Sequence, residues 1–525
     1  MKLAEVVDCS EEVSGTRSRK RKTATLASLI ERTPDQLLPV VVSWLSGELL
    51  EGRIGVGRAA IDGALKQTGA SKHFSLDVEA VQQAITSIQQ ASGRGSVTRR
   101  KALLAELFQQ ATEVERVFLA GLLSGELRQG ALAGVMADAL GLAMDIPTSV
   151  VRRAAMLAGD LARVARVARK EGEAGLMAFR VEVFRPLQPM LAQTAETPAE
   201  ALTRTGGAGV FDYKLDGARV QVHKSGDRVQ VFTRGLKDVT GAAPEVVDFA
   251  RSLPADRLIL DGEVLAIRPD GRPHTFQTTM TRFGRTVQSR VAELRDVLPL
   301  TPFIFDVLLH GDADVLDLPL TERSQLLADL VPEMHRVPRL VTSNAMEASG
   351  FLERALGDGH EGVMMKELDS RWEAGSRGSS WFKIKPSWTL DLVVLAAEWG
   401  SGRRSGWLSN LHLGARDPAG GFVMLGKTFK GLTDATLRWQ TEQLLAREER
   451  REKQVVYVRP ELVVEVAFNE IQTSSRYRSG LALRFARVKG YRPDKEAWSA
   501  DCISLVRRIH GGELTLLDAL GRIGT

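Results

Sequence analysis

The amino-terminal third of the chain has the hydrophobic spacing of α-helices. Residues 98–108 (TRRKALLAELF) begin with a threonine suited to a helix cap, and apolar residues then recur every three or four positions. Similar patterns, rich in alanine and leucine, occur at 23–32, 113–124, 131–143 and 148–168. Strand patterns are nearly absent here, so we predict an all-α domain over residues 1–185.

The pattern changes at residues 184–191, where two prolines interrupt the helical spacing. Residues 220–232 form two alternating apolar and polar runs around a Ser-Gly-Asp turn, which predicts a β-hairpin. Further strands are expected at 258–267 and 302–309, and a helix is expected at 318–330. The middle of the chain, residues 186–388, is therefore predicted to be an α+β domain.

Short strands dominate the last part of the chain. They are predicted at 390–398, 408–415, 422–429 and 455–469, separated by turn residues. One polar helix is predicted at 433–452, with the charged run at 447–453 on its solvated face. Short strands of this kind are typical of a small closed or partly closed β-barrel. We assign residues 389–525 to this third domain.

Composition places the chain among ordinary globular proteins with several domains. The 525 residues are 44% hydrophobic and 26% charged, which excludes a largely disordered chain. Lysine and arginine number 70 against 65 aspartate and glutamate, a formal net charge of +5, so a nucleic-acid surface requires local clustering of bases. The two cysteines exclude a disulfide framework and a four-cysteine zinc module.

The middle domain concentrates the residues suited to catalysis. Lysines and carboxylates lie next to apolar strand residues at Lys214, Asp261, Glu263, Glu361, Lys366, Lys383 and Lys385. Lysines neutralise phosphate charge, carboxylates hold Mg²⁺, and a lysine deprotonated by neighbouring cations is a nucleophile. This inventory favours phosphoryl or nucleotidyl transfer. The chain lacks the P-loop, G-x-S-x-G and H-E-x-x-H motifs, which disfavours P-loop kinases, serine hydrolases and common zinc peptidases.

These residues belong to segments that resemble, in order, the motifs of covalent nucleotidyltransferases. The segments are KLDGAR at 214–219, DGE at 261–263, FD at 305–306, EGVMMK at 361–366 and KIK at 383–385. The chain is most similar to ATP-dependent DNA ligases, and the resemblance covers nearly its whole length. In addition, GELRQG at 125–130 resembles part of that family's DNA-binding region, and residues 483–495 resemble its last motif.

The resemblance implies a fold and an activity. It implies an all-α DNA-binding domain, an α+β adenylation domain and a C-terminal OB-fold barrel. Lys214 would attack the α-phosphorus of ATP to form lysyl-AMP, AMP would pass to the 5′-phosphate at a nick in duplex DNA, and the 3′-hydroxyl would displace it. A covalent intermediate divides one difficult step into easier ones. ATP is thus a substrate, Mg²⁺ the expected metal and nicked duplex DNA the partner.

The same resemblance assigns roles to individual residues. The implied nucleotide-binding residues are Asp212, Arg219, Arg234, Glu263, Phe305, Lys366, Lys383, Lys385, Arg484 and Arg487. Phe305 would stack on adenine, and the three lysines would face the phosphates. Arg484 and Arg487 would orient the pyrophosphate, which implies rotation of the third domain. Glu263 and Glu361 would place Mg²⁺, and Arg128 would contact DNA. Asp212 stands where the family commonly has glutamate.

Two stretches concentrate positive charge. Residues 17–22 contain five bases, which suits a helix entry near DNA, a nuclear-localisation signal or plain solvation. Residues 477–495 contain six bases and one acid, Asp494, with Phe485 and Tyr491 interleaved. This second stretch fits contact with a phosphate backbone. Both interpretations rest on the charge of these stretches alone.

Other interpretations of the whole chain share part of this pattern. An RNA ligase or a GTP-using capping enzyme has the same lysine chemistry, but the long helical domain favours encirclement of duplex DNA. A non-catalytic DNA-binding scaffold is disfavoured by the intact lysines and acids, and an NAD-dependent ligase by the missing cysteine cluster. No apolar run approaches the ~18 residues that span a bilayer, and there is no signal-peptide pattern, so we expect a cytoplasmic protein. The compact length without long tails favours a prokaryotic enzyme that works at the nucleoid as a monomer. Protein partners are not predicted.

Overall fold

A computed structural model describes residues 1–52, 54–73, 76–127, 129–130, 133–283, 288–373 and 377–514. Its first region, up to about residue 185, is helical, as predicted. The helices are α1 Leu3–Gly15, α2 Arg19–Arg32, α3 Leu38–Leu45, α4 Arg58–Gln67, α5 Val78–Gln90, α6 Ser96–Gln110, α7 Glu113–Leu123, α8 Ala133–Ala143, α9 Thr148–Ala158 and α10 Leu161–Met177. None of the described helices is long and apolar enough to cross a membrane.

The helix predicted at 148–168 is two helices, α9 and α10. The break falls at Asp160, whose carboxylate accepts a hydrogen bond from the Ala162 backbone N–H at 2.8 Å and so caps α10. Aspartate competes with the helical backbone for hydrogen bonds in this way and favours helix starts. The helical spacing correctly predicted helix on both sides of Asp160, but the Asp160 cap divides the segment into two helices.

The basic run at 17–22 opens α2 and is partly internal. Lys22 is buried and donates to the backbone oxygen of Gln129 at 2.6 Å, while Arg19 pairs with Asp138 at 2.6 Å. Gln129 also accepts a hydrogen bond from the Ser10 hydroxyl at 2.6 Å. The run therefore ties α2 to Gln129 and Asp138, a use that charge alone did not indicate.

The middle region is built from two sheets with helices around them. Its strands are β1 Leu191–Ala195, β2 Gly209–Tyr213, β3 Ala218–Ser225, β4 Arg228–Thr233, β5 Arg257–Ala266, β6 Leu300–His310, β7 Ala313–Asp314, β8 Arg339–Thr342, β9 Val363–Lys366 and β10 Arg377–Ile384. Its helices are α11 Pro198–Arg204, α12 Pro244–Ser252, α13 Phe276–Phe283, α14 Gln288–Val297, α15 Leu320–Leu330 and α16 Ala345–Gly357. The predicted hairpin is β3–β4, and the α+β prediction is confirmed.

The order of strands places the site at the crossing between the sheets. One sheet has the order β1-β10-β9-β2-β8 and the other β4-β3-β5-β6-β7. The chain leaves β2 in the first sheet and enters β3 in the second, and Lys214 lies in this connection. A residue here faces groups from both sheets, so motifs far apart in sequence meet.

The joint between the helical and middle regions is held by two side chains of β3. The Phe184 backbone N–H donates to His223 Nδ1 at 2.9 Å, and the Leu187 N–H donates to Gln221 Oε1 at 2.7 Å. Burial lowers the pKa of His223 to about 3, so its ring is neutral at pH 7 and Nδ1 is free to accept. The proline-rich segment is therefore bonded to the sheet.

The C-terminal region is mainly antiparallel β-structure around its own apolar core. Its elements are β11 Trp388–Trp399, β12 Leu408–Arg416, β13 Phe422–Thr428, α17 Asp434–Leu445, β14 Glu448–Glu452, β15 Val455–Val458, β16 Val463–Phe468, β17 Glu470–Thr473, β18 Leu481–Arg484, β19 Arg487–Tyr491 and α18 Ile503–His510. The long strand β11 pairs with β16 through its first half and with β12 and β15 through its second half. The many short strands match the prediction for this region.

The helix predicted at 433–452 is wrong in its second half. Helix α17 ends at Leu445, and Glu448–Glu452 form strand β14, which pairs with β15 at the sheet edge. Charged side chains are tolerated on an edge strand because both faces reach water there, and they discourage pairing with other chains. The segment predicted as one strand at 455–469 is also divided, because Pro460 has no N–H for the ladder.

A fully buried ion pair joins strand β6 to helix α15 within the middle region. Arg323 donates to both carboxylate oxygens of Asp306, at 2.8 and 3.0 Å, and both side chains are fully buried. Replacing Arg323 by alanine leaves a buried carboxylate without its cation, so we expect the free energy of unfolding to fall by about 3–5 kcal/mol. Urea unfolding measures this change.

The matched control is Arg295→Ala, which removes an arginine from an exposed pair with Asp248. An exposed pair contributes only about 0–1 kcal/mol, so the control should unfold close to the unmodified protein. An equal loss of stability in the two variants would contradict the importance of the buried pair.

Candidate active site

The site is organised by a backbone contact between two motifs. The Lys214 N–H donates to the Gly362 oxygen at 2.8 Å, and the Glu361 N–H donates to the Lys214 oxygen at 3.0 Å. Gly362 has φ +140°, and a Cβ there would collide with the Ile384 carbonyl oxygen. Only glycine fits this approach. As a result, residues 214, 361 and 385 are neighbours despite their separation in sequence.

Glu361 holds two lysines. Its carboxylate accepts hydrogen bonds from Lys214 Nζ through one oxygen and from Lys385 Nζ through the other. Glu361 lies just before β9 rather than on it, which lets it point toward Lys214 although Lys366 ends the same strand on the other side. The two lysines therefore share a single carboxylate.

Burial and neighbouring cations lower the pKa values of both Lys214 and Lys385. Burial lowers the pKa of Lys214, Arg484 and Arg234 lower it further, and Glu263 and Asp216 oppose them. Burial, together with the charge of Lys214, lowers the pKa of Lys385 to about 7. A larger fraction of neutral amine at physiological pH makes a lysine a better nucleophile.

Glu263 and Arg219 lie opposite each other on β5 and β3. Burial raises the pKa of Glu263 to about 7, although Lys214 and Arg219 favour its ionised form. Arg219 also pairs with Asp261 at 2.6 Å. A partly buried carboxyl with a raised pKa gains stability from a nearby cation, whether an ammonium group or a metal ion.

Phe305 forms an aromatic wall with Trp381. The two rings are 6.3 Å apart in an edge-on arrangement. Arg219 Cζ lies 5.4 Å and Lys366 Nζ 4.7 Å from the centre of the Phe305 ring, and Lys366 Nζ is also 4.3 Å from that of Trp381. Cations over aromatic faces are favourable contacts that fix both partners. The half-buried Phe305 ring is thus held in one orientation.

Asp212 and Lys366 form a buried ion pair at 2.7 Å. Arg339 donates to both Asp212 oxygens, at 2.6 and 2.9 Å, and to the Phe305 backbone oxygen at 3.1 Å. Burial raises the pKa of Asp212, but Arg339 and Lys366 more than offset this, so the pKa lies below its ordinary value. The structure therefore places these charges behind the Phe305 wall, where Lys366 contacts Asp212 rather than Glu361.

The remaining nucleotide-binding candidates reach the site from its rim. Arg234 is exposed after β4, and its N–H donates to the Arg219 oxygen at 3.1 Å. Lys383 lies half-buried on β10, between the buried residues Phe382 and Ile384.

Two candidates come from the C-terminal region. Arg484 pairs with Asp216 at 3.1 Å and with Glu470 at 2.9 Å, and its Cζ lies 4.1 Å from the centre of the Phe276 ring. Arg487 donates to the Ser387 hydroxyl at 3.1 Å. Arg484 therefore reaches the Lys214 loop, whereas Arg487 lies at the connection between the two regions.

Several neighbours of the site were not anticipated. Arg339 and Trp381 support the wall, and Asp216 and Glu470 receive Arg484. Trp381 carried a usable signal, since it lies two residues before the KIK segment, whereas Arg339 opens a short strand with no recognisable motif. Arg128, the predicted DNA contact, lies outside the described residues.

The described side chains do not by themselves form a complete metal-binding site. Within the described ranges, no group of three or more histidine, cysteine, aspartate or glutamate side chains is arranged to hold a metal ion. Mg²⁺, however, is commonly bound by one or two carboxylates together with substrate phosphates. Glu263 and Glu361 near Lys214 match that smaller requirement.

The two-sheet core, the connection that carries Lys214 and the paired lysines define a protein of the nucleotidyl-transferring class. Family models match all three regions: "DNA ligase N terminus" at residues 56–141, "ATP dependent DNA ligase domain" at 189–385 and "ATP dependent DNA ligase C terminal region" at 404–495. A solved structure titled "Pmar-Lig_PreS3" has the same fold, with a TM-score of 0.61 at 18% identity over 93% of this chain and 99% of that chain.

Full-length relatives are much more similar in sequence. A "Probable DNA ligase" of Anaeromyxobacter dehalogenans (strain 2CP-1 / ATCC BAA-258) is 54% identical, covering 98% of this chain and 100% of its own. Another of that name from Mycobacterium sp. (strain KMS) is 52% identical over 97% and 99%. The chain belongs to the ATP-dependent DNA ligase family. It is an enzyme that seals 5′-phosphate/3′-hydroxyl nicks in duplex DNA through lysyl-AMP and DNA-adenylate.

The charge of Arg484 gives a prediction for the pH dependence of adenylation. A lysine attacks phosphorus only as the neutral amine, so with Lys214 as the predicted nucleophile the rate of lysyl-AMP formation should rise with pH and level off below the ordinary lysine pKa of about 10.4. Arg484 lowers the pKa of Lys214. Arg484→Ala should therefore raise that pKa and move the rate profile to higher pH, as measured by rapid quenching with α-labelled ATP.

Arg484→Lys keeps the charge and should largely preserve the profile. Lys489→Ala, which removes an exposed cation from the neighbouring strand β19, should leave it in place. A profile for Arg484→Ala that falls in amplitude without moving along the pH axis would contradict an electrostatic role.

Proposed function

We propose that Lys214 is the adenylated residue of this ligase. The observation that carries the proposal is the sharing of one carboxylate, Glu361, by Lys214 and Lys385, with Arg484 and Arg234 close enough to lower the pKa of Lys214. Neutral Lys214 Nζ attacks the α-phosphorus of ATP, the bond to the bridging oxygen breaks, and pyrophosphate leaves. The nitrogen loses its remaining extra proton, and a phosphoramidate to AMP remains.

The nucleotide is bound by the groups around Lys214. The adenine ring stacks on Phe305, which Trp381 and Lys366 hold in place. Arg219 and Arg234 bind ribose or phosphate, and Lys383 and Lys385 neutralise phosphate charge. Such preorganised cations stabilise charge that develops in the transition state without having to reorganise. Asp212 serves here through its contacts with Lys366 and Arg339, as a positioning residue rather than as a surface for the base.

Glu263 and Glu361 are the proposed Mg²⁺ ligands, completed by phosphate oxygens of ATP. The support is chemical: both are carboxylates beside Lys214, and the raised pKa of Glu263 means that a cation there is stabilising. Bound Mg²⁺ supplies additional neutralisation of the triphosphate. The residues of the chain position the nucleophile and the phosphates independently of it.

The C-terminal region acts in more than one orientation. We propose that residues 389–525 form an OB-fold barrel, supported by strand β11 pairing on both sides and by helix α17 between strands. Arg484 and Arg487 help to orient pyrophosphate during adenylation. Because the same region must later close over DNA, it rotates about the segment near residue 388, where Arg487 contacts Ser387.

The remaining proposals concern the roles of the first two domains, the nucleic-acid substrate and the place of the enzyme in the cell. Residues 1–185 form the DNA-binding domain, with Arg128 as a phosphate contact, and residues 186–388 form the adenylation domain. Family membership favours DNA over the RNA-ligase, capping-enzyme and scaffold alternatives. We propose a monomer that acts at the nucleoid in the cytoplasm of a prokaryote.

Labelling of the protein tests the assignment of Lys214. The protein is incubated with Mg²⁺ and α-labelled ATP, GTP or NAD, and the label on denatured protein is measured. ATP should give stoichiometric label, whereas Lys214→Ala, or removal of Mg²⁺ with EDTA, should abolish it, because the nucleophile or the phosphate neutralisation is lost.

Lys66→Ala, an exposed lysine on α4, is the matched control and should label normally. Label that persists in Lys214→Ala would locate the nucleophile elsewhere, and label from GTP or NAD alone would overturn the use of ATP.

A further inference from the structure

Arg339 joins the two sheets of the middle region behind the aromatic wall. It opens β8 in the first sheet, and its guanidinium makes four hydrogen bonds. Two of them hold the carboxylate of Asp212 on β2. The third is donated to the backbone oxygen of Phe305 on β6, in the second sheet, at 3.1 Å, and the fourth to the Ser324 hydroxyl on α15, at 2.5 Å. One side chain therefore connects β8 to three other elements.

The backbone of the two residues before this arginine makes the same connection. The Val337 N–H donates to the Ile304 oxygen on β6 at 3.1 Å, and the Pro338 oxygen accepts a hydrogen bond from the Tyr213 N–H on β2 at 3.1 Å. The segment thus bonds on one side to strand β6, which carries the aromatic wall. On the other side it bonds to strand β2, which leads directly into Lys214.

The shape of the guanidinium makes this connection rigid. Asp212 is almost completely buried and Arg339 largely so, and the two form a bidentate pair. Because the N–H groups of arginine lie in one plane as a fixed fork, binding Asp212 through two of them fixes the direction in which the others point. The position of the Phe305 oxygen relative to Asp212 is therefore set by the guanidinium. A lysine, with its single ammonium group, cannot hold these acceptors in the same arrangement.

We propose that Arg339 is a positioning residue that sets the distance between the aromatic wall and Lys214. The inference rests on the proposed function, in which adenine stacks on Phe305 and Lys214 attacks the α-phosphorus of ATP. In the nucleotide, only the sugar separates the base from the α-phosphate, so the two binding points must lie at a matching distance for stacking and attack to occur together. Arg339 acts through β6 and β2 rather than on the nucleotide itself.

The rate of lysyl-AMP formation at limiting ATP, measured on the full-length protein with Mg²⁺, tests this role. Arg339→Met removes the guanidinium and keeps an apolar chain. We expect its rate to fall by about tenfold, within the roughly 5- to 150-fold that stacking of one base on an aromatic ring contributes to binding. Arg339→Lys keeps the charge without the planar fork and should lose nearly as much. A normal rate in either variant would overturn the proposal.

A double-mutant cycle with Phe305→Ala separates positioning from a general loss of structure. If Arg339 acts through the wall, Arg339→Met/Phe305→Ala should be no slower than Phe305→Ala alone, because the effects of residues that act together do not add. Losses that multiply in the double variant would overturn this proposal alone. A normal rate in Phe305→Ala would overturn both this proposal and the stacking of adenine on Phe305, so the two failures are distinguishable.

Arg282→Met is the matched control, because Arg282 is also buried in the middle region and pairs with Glu245 at 2.8 Å. This variant should be less stable but should form lysyl-AMP at a near-normal rate while folded. Ser324→Ala removes one contact of Arg339 and no charge, and should lower the rate by about threefold. If Arg339→Met does not fold, the same cycle with Phe305→Ala is made with Ser324→Ala. A normal rate in Ser324→Ala, or an equal loss in Arg282→Met, would then overturn the proposal.

Discussion

The candidate site depends on one close approach between two backbones. Gly362 lies against the Ile384 carbonyl oxygen with φ +140°, a combination open only to glycine. Through it, Glu361 meets the backbone of Lys214 on one side and the side chain of Lys385 on the other. If these segments were farther apart, the two lysines would not share a carboxylate, and the electrostatics that depend on that sharing would be lost.

The charged side chains around this contact form separate groups at increasing depth. Lys214, Lys385 and Glu361 face the pocket, while Asp212, Lys366 and Arg339 form a buried group behind the aromatic wall. A third buried pair, Asp306 and Arg323, anchors the strand that carries Phe305. Buried charges are costly unless they are paired, so each layer constrains the geometry of the next. The small net charge of +5 is the sum of many such pairs.

The fold was predictable where one local pattern decides the structure. Helical spacing identified the first region, and the alternation around residues 225–227 identified the hairpin β3–β4. Prediction failed at 448–452, where a run of charged residues has no helical or strand periodicity of its own and takes its structure from pairing with β15. Tertiary contacts of this kind are not encoded in a local window.

The residues of the candidate site could be predicted from the sequence, but their contacts in three dimensions could not. The order of motifs indicated Lys214, Glu361 and Lys385, and the structure brings these three together. From the sequence alone, the contacts of Lys366 and Lys385 could not be distinguished, because both are lysines beside apolar strands. The fold shows that Lys366 pairs with Asp212. Arg339 has no motif, and its contact with Asp212 joins residues 127 positions apart.

The rate of lysyl-AMP formation in Gly362→Ala tests most directly whether the contact between Gly362 and Ile384 holds the site together. A methyl group at this position must push Ile384 and Lys385 away from Glu361, and a displacement of about 1 Å in a catalytic group costs about a hundredfold in rate. Gly207→Ala, which has a left-handed glycine in open space in the same region, controls for backbone strain. We predict a loss of about a hundredfold for Gly362→Ala and near-normal rates for the control. Equal rates in the two variants would contradict the central place of this contact.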